Sequence, residues 1–165
     1  MSLMSIQDAD VLDIQPILKI YGHYINHSTL TMETQLPSRS ELASKISEIQ
    51  TSHAFLCLLL DGDVIGFAYA YPFSPREAYR HSANLILYLH PEFDELNFRN
   101  LLYQTLEERL TTKGIRNLLV TLPTSAEKEL EFYSNEGFEK RGNFPKAARK
   151  FDQWWDLVWM SKIIG

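Results

Sequence analysis

The stretch YLHPEFDELNFRNLLYQTLEERL, Tyr88 to Leu110, joins a strand-like run to a helical one. Such a junction suits a phosphate, because uncommitted backbone N–H groups and the positive end of the helix dipole converge there. Phosphate-holding turns also use glycine, which lets backbone approach an oxygen closely. No glycine lies between Gly66 and Gly114, and the junction offers Glu92, Asp94 and Glu95 instead. Carboxylates at a helix start are expected to act as caps and dipole partners, contributing ~0.5–1 kcal/mol each. They are also expected to repel an arriving phosphate. At about 5 Å and an effective dielectric of about 20, one like-charge pair costs ~3 kcal/mol.

Other groups with chemical potential are scattered. Arg76 and Arg80 are planar cations suited to an anionic group, or else solvated charges at a strand end. His81, in a strand-like run, is a candidate base or a structural side chain. Cys57 sits inside AFLCLLL, where nothing lowers a thiol pKa, so a buried strand residue is expected rather than a nucleophile. Lys140, Arg141, Lys146, Arg149 and Lys150 make the densest positive region and read as a solvated face. The net charge of −5 argues against a nucleic-acid partner. No metal site is expected.

The elements that must position these groups follow from periodicity. Val11, Ile14, Ile17, Leu18, Tyr21 and Ile25 share one helix face. SRSELASKISEIQ opens a second helix with Ser38 and Glu41 spaced as a capping box. HAFLCLLL and VIGFAYAYPF read as strands joined at DGD, where Gly62 is free to take positive φ. HSANLILYLH is the next strand, and the helix after it is expected to turn Leu96, Leu101, Leu102, Thr105, Leu106 and Leu110 inward. RNLLVTL is a strand. Thr124 and Glu127 have capping-box spacing before a short helix that Gly137 ends. Two strands close the chain, around Phe138 to Asn143 and Trp154 to Met160. The order predicts one α/β domain over residues 1–165, with a mixed sheet. Hydrophobic residues at 45% suit an ordinary globular core, and the single cysteine suits a reducing compartment. No apolar run approaches the ~18 residues of a membrane span and no targeting segment is evident, so a cytoplasmic protein without a membrane partner is expected.

Four segments spread over the chain carry a resemblance: IYGHYINHSTLTMET, GDVIGFAYAYPFSPREAYRHS, EFYSNEGFEKRG and KFDQWWDLVWM. Together they resemble the GNAT N-acetyltransferases, in particular the branch of phosphinothricin and methionine-sulfoximine acetyltransferases. The resemblance implies the GNAT fold, a mostly antiparallel mixed sheet with helices on both faces. It implies acetyl-CoA as the acetyl donor and a small amine, an amino acid or analogue, as acceptor.

Carried over by position, the resemblance puts acetyl-CoA contacts at Leu87, Leu89, Asn97, Arg99 and Asn100. The acceptor falls to Glu33, Arg76 and Arg80, and protonation of the leaving thiolate to Tyr133. Tyr133 is equally readable as a core tyrosine among Leu130, Phe132 and Phe138. The family's cofactor loop falls on Asp94 to Arg99, without its glycines. Its glutamate base falls on Asn84, which cannot take a proton, and its pantetheine asparagine on Ala126. Weak activity is therefore expected, and a non-catalytic ligand- or partner-binding protein is the alternative. A homodimer stays open, since Trp154, Trp155 and Trp159 suit a core or an interface equally.

Overall fold

The computed structural model describes every residue from Met1 to Gly165. Seven strands form one sheet in the order β1-β2-β3-β4-β5-β7-β6. The strands are β1 (Met4–Asp8), β2 (Phe55–Leu60), β3 (Asp63–Pro72), β4 (Ser82–Leu89), β5 (Asn117–Pro123), β6 (Glu139–Lys150) and β7 (Gln153–Ile163). The helices are α1 (Ile14–His27), α2 (Arg39–Ser52), α3 (Leu96–Thr112) and α4 (Glu127–Asn135). All neighbouring strands pair antiparallel except β4 and β5. No helix is long and apolar enough to cross a membrane.

Alternation along the strands divides the core between the two faces of the sheet. On one side α1 and α2 cover Phe55, Cys57, Phe67, Tyr69 and Tyr88. On the other, Leu102, Tyr103, Leu106 and Leu110 of α3 and Phe132 and Tyr133 of α4 cover Leu85, Leu87 and Leu89. Cys57 is buried, and burial pushes its thiol pKa up, so it is a packing residue. Helices thus lie on both faces, as expected.

Local chemistry accounts for several boundaries. Ser38 and Glu41 form the expected capping box of α2. Asp61 and Gly62 both take positive φ, 51° and 88°, in a two-residue turn that pairs Leu60 with Asp63. Gly137, at φ 97°, follows α4; its amide bonds to the Ser134 carbonyl and that of Phe138 to the Tyr133 carbonyl. This is a Schellman ending, and it locks Tyr133 into the last turn.

Several expectations are corrected. Leu96 and Leu101 of α3 are exposed rather than inward, on the face of the helix turned away from the sheet. Met4–Asp8 is an edge strand that pairs with β2; only Met4 and Ile6 turn inward, an alternation too short to read as a strand. Thr124 does not cap α4: its amide bonds to the Asp156 carbonyl and the helix begins after Ala126, without a side-chain cap. Neither Asp94 nor Glu95 caps α3, whose N-cap Glu95 makes no side-chain cap bond. The supposed solvated basic face is also divided, because Lys150 is only 4% exposed while its neighbours along β6 face solvent.

Candidate functional site

The site is built where β4 and β5 part. Their parallel pairing runs from Ser82/Asn117 to Asn84/Leu119 and stops there. At the flanks of β4, the His90 amide bonds to Ile65 and the Phe73 amide to Ser82. Even-numbered residues of β4 therefore turn their backbone groups toward β3. By alternation, Leu85, Leu87 and Leu89 turn theirs toward the gap left by β5. An unpaired strand edge of this kind accepts an extended amide chain as an added strand. One acceptor is already used, since the Tyr24 hydroxyl donates to the Leu89 carbonyl at 2.5 Å.

Beside this edge runs a narrow cleft of about 40 Å³, lined by Leu87, Arg99, Leu122, Glu129 and Tyr133 among others. The Tyr133 ring is buried, yet its hydroxyl has no bond within the chain and opens on the cleft. Burial raises the pKa of this phenol, against a smaller lowering by the Arg99 charge, so it holds its proton at neutral pH. The cleft continues into a cavity of about 440 Å³ that shares Leu30, Leu85, Ile86, Tyr88 and Thr121 with it. Asn84, Glu33, Lys45, Tyr69 and Tyr71 border this cavity. Glu33 is its only carboxylate.

Glu33 is placed by a loop tied down from the far end of the sheet. The tip of the β6–β7 hairpin reaches over, and Lys150 donates to the Ser28 and Thr31 carbonyls, both at 2.7 Å. The Glu33 amide bonds to the Thr31 hydroxyl at 3.1 Å. Lys150 lies behind the loop, where burial lowers its pKa and the Glu33 charge raises it.

The helix junction differs from its sequence reading. Asp94 is not a free charge: one oxygen accepts from Arg99 and the other from Lys128, each at 2.6 Å. Arg99 is buried and stacks over the Phe132 ring at 5.6 Å. The like-charge repulsion expected of Asp94 is thus offset by two cations that only the tertiary fold brings to it. The amides of Leu96, Asn97 and Phe98 have no acceptor, as is usual for a first turn without a cap.

The other candidates fall as follows. Asn97 is exposed on the first turn of α3, and Asn100 is half-buried one turn on. Arg76 and Arg80 lie in the exposed β3–β4 connection, outside the residues bordering the cavity, and Arg80 is paired with Glu77. His81 also lies outside it, held between the Arg80 guanidinium and the Gly114 carbonyl. Ala126, buried, ends the loop before α4. Lys45, Tyr69, Lys128 and Lys150 were missed. Lys45 reads as one more polar residue on the outer face of α2, and no spacing in the sequence links it to β3.

The residues suit an acyl-pantetheine in the cleft: an open strand edge, a narrow apolar channel and a protonated phenol at its side. At the diphosphate end they offer three free amides and Lys128, with Asp94 bound across the nearby cations.

A family model described as an acetyltransferase (GNAT) domain matches residues 3–159. The chain is 23% identical over 154 residues to phosphinothricin N-acetyltransferase of Streptomyces viridochromogenes, covering 93% of this chain and 84% of that protein. It is 25% identical over 158 residues to L-methionine sulfoximine/L-methionine sulfone acetyltransferase of Pseudomonas aeruginosa, covering 94% and 92%. Among solved structures it superposes on a phosphinothricin acetyltransferase from Sinorhizobium meliloti in complex with AcCoA. There the TM-score is 0.93 and the identity 28%, over 98% of this chain and 89% of that one.

Proposed function

Since the chain belongs to the GNAT acetyltransferase family, we propose that it transfers an acetyl group from acetyl-CoA to the amine of a small molecule, an amino acid or an analogue. The observation that carries this reading is the splay after Asn84 and Leu119, with Tyr133 opening on one side of it and Glu33 on the other.

Acetyl-CoA supplies the thioester. Leu85 and Leu87 hold the pantetheine arm through backbone groups, and the amides of Leu96, Asn97 and Phe98 with Lys128 hold the diphosphate. The acceptor amine enters by the larger cavity and loses its proton there. Asn84, at the mouth of the splay, orients by hydrogen bonding but takes no proton. Glu33 is the only carboxylate bordering the cavity by which the amine enters, so it receives the ammonium proton through water. As the C–N bond forms the nitrogen gives its second proton to water, and as the C–S bond breaks the Tyr133 phenol donates its proton to the departing thiolate; solvent then restores the phenol and takes the proton from Glu33.

Thiol release from acetyl-CoA is the test, with phosphinothricin, L-methionine sulfoximine and the common amino acids as acceptors. Turnover with any of them supports the proposal, and none with all of them overturns it. Asn84 favours a second reading, a binding protein that has given up catalysis. Under that reading the same acceptors raise the melting temperature without turnover.

A further inference from the structure

Two opposite charges border the acceptor cavity, and neither is committed to an ion pair. Lys45 and Glu33 form no salt bridge with each other or with any other residue. They border a second, adjoining hollow of about 360 Å³ as well, together with Tyr21 and Tyr69. Elsewhere the chain's cations near its sites are answered: Arg99 and Lys128 by Asp94, Arg80 by Glu77, Lys150 by two carbonyls.

Lys45 is also built in. Its ammonium donates to the Tyr69 hydroxyl at 2.9 Å and lies 4.8 Å from the centre of that ring. Tyr69 is 2% exposed and stacked on Phe55. Because its oxygen accepts from Lys45, its own O–H points elsewhere, and no group in the chain accepts it. Two N–H donors of Lys45 and one O–H of Tyr69 are therefore left at one spot on the cavity wall. Lys45 is exposed to solvent, so water takes these donors in the free protein, and an acid group entering the cavity can replace it. Packing around the ammonium lowers the pKa of Lys45 while the Glu33 charge raises it.

We propose that Lys45, with the Tyr69 hydroxyl, is the anion-recognising group of the acceptor cavity, so that the chain selects acceptors carrying an acid group as well as an amine. The ammonium end goes to Glu33 and the carboxylate to Lys45. This rests on the acetyl-transfer reading for its meaning, but it is a claim about binding and is tested without turnover.

The probes are L-methionine sulfone, its decarboxylated counterpart 3-(methylsulfonyl)propylamine, and its deaminated counterpart 4-(methylsulfonyl)butanoate, each titrated by calorimetry. The protein should bind the amino acid at least about tenfold more tightly than either counterpart, the scale of one charge-assisted bond. Lys45→Met should lose that preference over the amine while binding the amine as before, and Lys45→Arg should keep it. Glu33→Gln should lose the preference over the butanoate instead. Equal preference in Lys45→Met and the parent overturns the proposal, as does a parent that binds none of the three. Lys45-dependent binding without acetyl transfer to L-methionine sulfone upholds the proposal and counts against the enzyme reading. Acetyl transfer with a preference indifferent to Lys45 does the reverse.

Discussion

Asp94 and Arg99, five residues apart across the start of α3, are joined by a 2.6 Å ion pair, and Lys128 of α4 takes the other carboxylate oxygen at the same distance. The bridge ties α3 to α4 beside the cleft where Tyr133 opens. It also puts an internal carboxylate on the cations nearest the first turn of α3. A diphosphate arriving there competes with Asp94 for Lys128 rather than meeting a bare negative charge.

Asp94→Asn should therefore have two opposed effects. Stability should fall by about 2 kcal/mol, because buried Arg99 loses its partner. Affinity for CoA should rise, because Arg99 and Lys128 are released toward phosphate. Chemical denaturation and calorimetric titration of CoA measure the two. Unchanged CoA affinity would mean that the diphosphate does not approach this junction.

The same bridge sets an acid limit. Burial opposes ionisation of Asp94, but the bonds from Lys128 and Arg99 and their charges outweigh it and hold the carboxyl below its usual value. A carboxylate depressed in the folded state contributes stability above its unfolded pKa of about 3.9 and loses it as pH falls through the folded value. The stability gap between the parent and Asp94→Asn should be constant from neutrality to about pH 5 and should close below about pH 4. A gap that closes near neutrality would assign the effect to another group.

Tyr133→Phe removes a hydroxyl that makes no bond within the chain and leaves the packed ring in place. Stability should change by less than about 0.5 kcal/mol, while kcat falls by about tenfold or more, the scale of a lost general acid. An unaltered kcat would return Tyr133 to the role of a core aromatic.

Asn84→Glu supplies a carboxylate at the mouth of the splay. The rate should rise by about a hundredfold at most, and the pH profile should gain a limb at the pKa of the new group. A rate that stays at the parent's value would mean that proton removal does not limit turnover.

Lys150→Met cuts the two bonds that hold the Ser28–Glu33 loop from the hairpin tip. The loss should be about 2 kcal/mol of stability, with a rise in KM for the acceptor that exceeds any fall in kcat. A fall in kcat with KM unchanged would mean that the loop acts in the chemical step rather than in binding.

Much of this was legible in the sequence. The continuous apolar runs FLCLLL and DVIGFAYAYP, the capping box at Ser38, the turn at Gly62 and the helix stop at Gly137 are local devices, each decided by residues within a few positions of one another. The loss of glycines from the junction after His90, and the asparagine at position 84, were readable for the same reason. What the sequence could not decide is which charges meet. Asp94 finds Lys128 across 34 positions, and Lys150 finds the loop at Thr31 across 119. Lys45 finds Tyr69 across 24, from a helix to a strand on the sheet beneath it. Ion pairing falls off with distance in space and is blind to distance along the chain. The fate of each charge, and with it the character of the cavity, was settled only when the sheet brought the elements together.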